Sequence, residues 1–362
     1  MKIAITGLAN SGKTTLFNAL TGLSLETTVY ATPATAEPHH GVVKVPDPRI
    51  DRLVEIYKPK KTTYATVEYI DYIGLTKGDL EQNRKVSDLI KDADAVLHVV
   101  RAFADESVVH PLGGGDPKRD VETVELEMVY GDLELVDKRL ERMEQGAKRG
   151  KKPDESEKKL LLKCKETLEK ERPLRDVEFS EDERKAMTHL QFMSIKPVVV
   201  ALNAGEAEMN SERIQSLVSG IEGLFRGGAV RVLSLCGKIE MEIAQLPAEE
   251  AKAFLEDLGI EEPALNRLIR VSYDLLGLIS FLTSGEDEVR AWTIVKGMSA
   301  QKAAGKIHSD IERGFIRAEV VSYDDFISCG SMAAAREKGL LRLEGKTYTV
   351  ADGDIINFRF NV

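Results

Sequence analysis

The residues best equipped for chemistry lie at the start of the chain. "KIAITGLANSGKTTLFNALTG", residues 2–22, is a β-rich apolar run, a loop with glycines at 7 and 12, and a helical pattern with Leu16, Phe17 and Leu20 on one face. It satisfies G-x-x-x-x-G-K-[ST] with a strand before and a helix after, the setting in which that pattern signifies a phosphate-binding loop. Glycines let the backbone of Gly7, Leu8, Ala9, Asn10, Ser11 and Gly12 turn its N–H groups inward around phosphate oxygens. The helix start at Lys13, Thr14 and Thr15 adds its partial positive charge. Lys13 is placed to reach the β- and γ-phosphates as a catalytic charge, and the Thr14 hydroxyl to sit on Mg²⁺.

A second element follows in "TVEYIDYIGL", an alternating strand ending at Asp71, with Gly74 in D-x-x-G spacing. A carboxylate there holds Mg²⁺ through water while the glycine N–H meets the γ-phosphate, so that hydrolysis would release the next loop. The residue after Gly74 is Leu75, where Ras-like enzymes carry the glutamine that orients water. Catalysis must therefore draw on another group. The third element is "VVVALNAGEAE", residues 198–208. A guanine-specific loop reads N-K-x-D: its Asp accepts hydrogen bonds from guanine's N1–H and amino group, and its Lys stem packs beside the base. Here Asn203 stands, but Ala204 and Glu206 fill the other two places. A carboxylate one methylene longer and a missing Lys damage the guanine fork. The competing reading is that Asn203 and Glu206 only end a strand and start a turn.

Further strand runs at "DADAVLHVVRAF", "KPVVVALN" and "AVRVLSLC", each after a helical stretch, predict an α/β fold with a mainly parallel sheet covered on both faces. Ligands on such sheets sit at the carboxyl ends of the strands, where Gly7, Asp71, Asn203, Cys236 and Gly237 would gather. Between about 120 and 190, two long charged helical stretches flank "GAKRGKKPD" and predict an inserted antiparallel helical hairpin. Lys148, Arg149, Lys151 and Lys152 cluster at its tip, either as a solvated face or as an RNA or ribosome contact. After about 275 the texture changes to a small α+β module with turns at Gly345 and Asp352-Gly353. The expected partition is therefore 1–120 with 190–274 for nucleotide, 121–189 for the hairpin, and 275–362 for the last module.

At 362 residues the chain suits two domains or one with a large insertion. Its 60 acidic residues against 50 basic ones exclude a general attraction to phosphate backbones, so any nucleic-acid contact must be local. Three scattered cysteines without metal-ligand spacing fit a reducing compartment. No signal peptide or spanning apolar run is present in the sequence, so the expectation is a cytoplasmic protein with no membrane contact.

Together "GLANSGKTTLFNALT", "TAEPHHGVVKVPDPRIDRL", "FLEDLGIEEPALNRLIR" and the C-terminal "EVRAWTI…AAGKIHSDIERGFIRAEVVSYDDF…LEGKTYTVADGDIINFRFNV" resemble the YchF/Obg-like ATPase family over nearly the whole chain. The resemblance implies a P-loop NTPase with a coiled-coil arm and a C-terminal β-grasp TGS domain. It implies that N-x-x-E goes with ATP over GTP, Asn203 meeting the purine and the backbone near Ala204 and after Cys236 reading adenine's amino edge. A family histidine in a mobile loop, implicated in hydrolysis, matches His110 in "ADESVVHPLGGGDP"; the bland reading is a loop histidine with no role. Thr35 matches a first-switch Mg²⁺ ligand, although "YATPATAEP" is one residue longer than the usual pattern, and Asn10 a P-loop position that coordinates K⁺ in related NTPases. His98 and His189 read as structural, and His39 and His40 have no assigned role. The family's second switch is longer than "GLTKGDLEQN" here, which marks a divergent member. The expected function is a monomeric, slow ATPase switch acting with the ribosome or ribosomal RNA. Two alternatives stand beside it: a GTP-specific or unselective GTPase, and a ribosome- or RNA-binding protein with little hydrolysis.

Overall fold

Two strands written almost wholly in apolar letters, β5 (Ala95–Arg101) and β6 (Val198–Asn203), are buried along their whole length, as strands covered on both faces must be. A computed structural model describes residues 1–25, 37–75, 80–105, 107–150, 152, 154–209 and 211–361. Thr35, Lys151 and residues 76–79 of the second switch lie outside them. β5 and β6 are central in a six-stranded sheet completed by β1 (Lys2–Thr6), β2 (His39–Lys44), β4 (Thr66–Asp71) and β7 (Val230–Leu235), in the order β2-β4-β1-β5-β6-β7. From β4 to β7 every pairing is parallel, so the ends of β1, β4, β5, β6 and β7 open on one side, as the pattern predicted. The helices that carry the chain between them include α1 (Lys13–Thr21), α3 (Leu80–Asp92), α4 (Pro117–Lys148) and α7 (Glu212–Glu222); α8 (Gly237–Gln245), α9 (Ala248–Asp257) and α10 (Ala264–Leu275) follow β7.

The predicted hairpin is α4 with α5 (Glu155–Leu168), and α6 (Glu181–Met187) follows it. Asp116 caps α4 by accepting from the Arg119 N–H, with Pro117 at the first turn, and Asp154 caps α5 through Ser156 and Glu157. Val129, Val136, Leu160, Leu161, Cys164 and Leu168 form the arm's own core. Arg139–Glu157 (2.8 Å) and Lys165–Asp137 (2.7 Å) tie the two helices at the surface. At the tip, Lys148, Arg149 and Lys152 are exposed.

A second six-stranded sheet runs β11-β10-β12-β8-β9-β3. Its members are β3 (Lys61–Thr63), β8 (Leu278–Thr283), β9 (Glu288–Val295), β10 (Phe315–Val321), β11 (Arg342–Glu344) and β12 (Ile355–Phe360). α11 (Ala300–Ile307) packs its three buried alanines on Phe281, Ile294, Val320 and Phe358. α12 (Ser309–Arg313), α13 (Tyr323–Cys329) and α14 (Met332–Glu337) complete this unit. The sequence predicted a small α+β module after about 275, but neither β3 nor the border of this unit. Residues 43–67, which include α2 (Pro48–Tyr57), group with 269–362, whereas 1–42 and 68–268 form the other compact unit. The cause is β3, which pairs in parallel with β9 at Lys61↔Glu288. Arg49 adds to it by bridging its own helix cap, Asp47 (2.9 Å), to Asp352 (2.8 Å).

Candidate functional site

The phosphate loop is shaped by two glycines that nothing else could replace. Gly7 lies at φ +140°, and a Cβ there would stand 2.3 Å from the Val99 carbonyl oxygen. Gly12 lies at φ +92°, with the Asn203 Nδ2 2.2 Å from its would-be Cβ. Positive φ and a close neighbour both exclude a side chain. Gly12 caps α1 with no side-chain hydrogen bond, and no acidic residue sits in the first turn. The first amides of α1 therefore remain open to an anion.

Lys13 is only 6% exposed and its Nζ donates to the Leu8 carbonyl at 2.9 Å. Burial pulls its pKa down to about 8, against the pull of Asp71 in the other direction. Asp71 ends β4, 2% exposed, and burial raises its pKa while Lys13 and Thr14 lower it. Its Oδ2 accepts from the Thr14 hydroxyl at 2.8 Å, and its Oδ1 has no partner. A buried carboxylate oxygen without a donor, beside a helix-start hydroxyl, is a pair of hard oxygen ligands that fits Mg²⁺.

The loop after Asp71 is laid onto the phosphate loop. Leu75 N–H donates to the Gly7 carbonyl (3.0 Å) and Ala9 N–H to the Leu75 carbonyl (3.1 Å). The Gln82 amide donates to the Gly74 carbonyl. Leu75 itself is 4% exposed and packs with Leu8, Tyr72, Val86 and Ile90. The side chain that replaces the water-orienting glutamine is thus a core residue, anchored away from solvent.

On the base side the carboxamide of Asn203 is a strut. Its Nδ2 donates to the Ser11 carbonyl (3.0 Å) and its Oδ1 accepts from Gly237 N–H (2.9 Å), the first residue of α8. Ala204 N–H is taken by the Leu235 carbonyl at 2.8 Å. Cys236 is buried just before α8, while Glu206 is exposed at the start of a short 3-10 turn. Asn203, Ala204, Cys236 and Gly237 come together as predicted; the Glu206 carboxylate does not join their hydrogen bonds.

His110 is placed beside the phosphate loop but is held. Its Nδ1 accepts from Leu112 N–H (3.2 Å), which leaves the ring proton on Nε2 to donate to Asp120 at 2.8 Å. The ring is 7% exposed and Asp120 3%. Arg119 holds the other oxygen of Asp120 at 3.0 Å. The Asn10 amide donates to the neighbouring Val109 carbonyl at 3.1 Å. Arg101, 7% exposed at the end of β5, donates to the carbonyls of Phe103, Asp105 and Val108 and so holds the loop from inside. Sequence reading missed Arg101 and Asp120. The signal for Arg101 was available, a charged residue at the carboxyl end of a central strand. His98 is buried with neither ring nitrogen partnered, and burial pushes it down to about 3, in keeping with its structural reading.

Among the described residues no cluster of three or more His, Cys, Asp or Glu side chains could hold a metal, and no helix is long and apolar enough to cross a membrane. A family profile described as "50S ribosome-binding GTPase" matches residues 2–130. A C-terminal YchF-GTPase profile, described as a protein of unknown function (DUF933), matches residues 278–361. The chain is 45% identical to "Ribosome-binding ATPase YchF" of Bacillus subtilis (strain 168), over 99% of this chain and 98% of that protein. It is 41% identical to the protein of the same description in Escherichia coli O157:H7, over 100% and 99%. The "Structure of the Schizosaccharomyces pombe YchF GTPase" superposes with a TM-score of 0.82 at 29% identity, covering 99% of this chain and 97% of that one. Identity of this order from end to end, on a phosphate loop, a D-x-x-G loop and an N-x-x-E loop that meet at one sheet edge, shows that the chain belongs to the YchF family.

Proposed function

We propose that the chain hydrolyses ATP, in preference to GTP, to the diphosphate and phosphate, as a slow monomeric switch that acts with the ribosome. The observation that carries this reading is an intact phosphate site joined to an altered base site. Guanine's O6 is an acceptor and needs amide donors, yet the N–H groups of Ala204 and Gly237 are committed to Leu235 and Asn203. Adenine's amino group is a donor and needs carbonyl oxygens, which the same loops can offer. The relatives' description as ribosome-binding ATPases supports the same substrate and partner.

Mg²⁺, held through Thr14 and Asp71 with Thr35 as a further ligand, would supply charge neutralisation to the β- and γ-phosphates. Lys13 turns from the Leu8 carbonyl to the same oxygens. The amides of residues 10–15 hold the phosphates, and Gly74 N–H meets the γ-phosphate. The Asn10 side-chain oxygen, its amide nitrogen already on the Val109 carbonyl, would serve as a ligand for K⁺. His110 positions the attacking water once its ring leaves Asp120, which makes the His110–Asp120 pair a reason for slow turnover. The basic arm tip, Lys148 and Arg149 with Lys152 and Lys151, contacts ribosomal RNA.

Two measurements test the reading. In equilibrium competition for the nucleotide-free protein with Mg²⁺ and K⁺, ATP should outcompete GTP by about tenfold or more, roughly 1.4 kcal/mol. Equal affinities, or a preference for GTP, would return the protein to the GTPase class. His110→Ala should lower single-turnover hydrolysis by about 10²-fold, the scale of one general acid–base group, with ATP affinity unchanged. Hydrolysis at the parental rate would remove His110 from catalysis and leave the binding residues standing.

A further inference from the structure

The C-terminal unit contains a cavity of about 550 Å³ that the nucleotide chemistry does not use. It opens where β12 outruns its neighbour. β12 pairs with β8 only at Ile355↔Leu282, whereas on its other side it pairs with β10 from Phe360 back to Ile355. Beyond Ile355 the side of β12 that faced β8 has no strand partner among the described residues.

Which backbone groups face that gap follows from alternation. Leu282 N–H donates to the Asp354 carbonyl, so residue 354 points toward β8, and residues 356, 358 and 360 point the same way. Asn361 N–H donates to Gly314, at the start of the β10 side, which fixes the odd-numbered residues to the opposite side. The amides of Phe358 and Phe360 therefore face the opening. From Ile356 to Phe360 the free edge is about 13 Å long at a strand's rise of ~3.3 Å per residue.

The two walls differ in chemistry. One is apolar, with Ile307, Ile311, Ile356 and Phe358, and Phe360 stands 44% exposed at its rim. The other is cationic. Arg336 and Arg359 each donate to Glu319 at 3.1 Å, yet their side chains are 62% and 52% exposed and keep further N–H groups for a second carboxylate. Arg317 lies directly opposite Arg359 across the strands. One buried glutamate is thus shared by two arginines, with a third on the neighbouring strand beside Arg359. The Ser284 hydroxyl lines the cavity, buried and without a partner.

We propose that this cleft binds an extended acidic peptide segment of a partner protein by strand addition to β12, with alternate apolar side chains on the isoleucine wall and carboxylates on Arg336 and Arg359. Free main-chain donors in register, a side pocket of alternating character and an unpaired hydroxyl are what an added strand uses. The inference is independent of which nucleotide the other unit takes.

The test uses the full chain and a blocked heptapeptide of alternating valine and glutamate. Three comparison probes accompany it: the valine–lysine analogue, the same sequence N-methylated on alternate residues in either phase, and heptauridylate. The acidic peptide should bind at least about tenfold more tightly than the lysine peptide or the better-matched of the two methylated phases. On binding, amide exchange at Phe358 and Phe360 should slow about tenfold or more while Asn357 and Arg359, already bonded to β10, stay unchanged. Arg336→Gln should weaken the acidic peptide about fivefold and leave the lysine peptide unaffected. The peptide series on the parental protein stands even if the variant folds poorly. No acidic preference, no slowing confined to Phe358 and Phe360, or heptauridylate displacing the peptide would overturn the proposal.

Discussion

Replacing Gly74 by alanine is expected to slow hydrolysis by about a hundredfold, equivalent to roughly 2.7 kcal/mol of transition-state stabilisation, while diphosphate affinity stays within about threefold. The expectation rests on space. A Cβ at Gly74 would stand 2.5 Å from the Lys13 Nζ, 2.7 Å from the Ala9 nitrogen and 2.8 Å from the Ala9 Cα. The lysine tip can move aside, but the backbone of Ala9 cannot. The loop must then lift, breaking the Leu75–Gly7 and Ala9–Leu75 hydrogen bonds and carrying the Gly74 N–H away from the γ-phosphate. The amides at the start of α1 are untouched, so the diphosphate keeps its partners. Single-turnover hydrolysis and diphosphate displacement on one preparation would separate the two effects. A variant that hydrolyses at the parental rate would mean that the Gly74 amide does not meet the transferred phosphoryl group.

Local pattern makes much of this site legible in the order of the residues. Glycine spacing, a strand on one side and a helix on the other are enough for residues 7–15, and the apolar runs place Asn203 and Cys236 at neighbouring strand ends. Two kinds of fact are not legible there. Long-range pairing is one: β3 is only three residues long, and its partner begins 227 positions later, so no local period marks residues 43–67 as part of the last unit. Side-chain partnership is the other. The sequence announces that Leu75 is not a glutamine, but not that it is a core residue. It offers His110 as a free loop base, whereas Asp120, ten residues on at the start of α4, holds the ring. Asn203 likewise looks like a base reader and serves first as a brace between the phosphate loop and α8.

The largest expected loss of stability comes from the root of the arm. Asp132 lies on α4, fully buried, and accepts from Met193 N–H (2.8 Å), Ser194 N–H (2.8 Å) and the Ser194 hydroxyl (2.7 Å). The same hydroxyl accepts from Leu174 N–H at 3.1 Å, so one carboxylate gathers the three chain segments that meet below the arm. Asp132→Ala leaves those donors buried without an acceptor and should cost about 3 kcal/mol at pH 7, read by urea unfolding. Its pH dependence has a definite sign. Burial pushes the Asp132 carboxyl up to about 6, with the Met193 and Ser194 donors pulling back. A raised pKa means that the folded state holds the proton more tightly than the unfolded chain does. Stability from this group is therefore greatest below the unfolded value near 3.9 and declines as pH rises toward 6. Alanine has no such titration, so the variant's deficit should be about 1 kcal/mol larger at pH 5 than at pH 7, other titrations cancelling in the difference. A deficit that instead grew from pH 5 to pH 7 would mean that the ionised carboxylate is the stabilised form, with its donors and Lys91 outweighing burial. The arm would then be held by the carboxylate's charge as well as by its three hydrogen bonds.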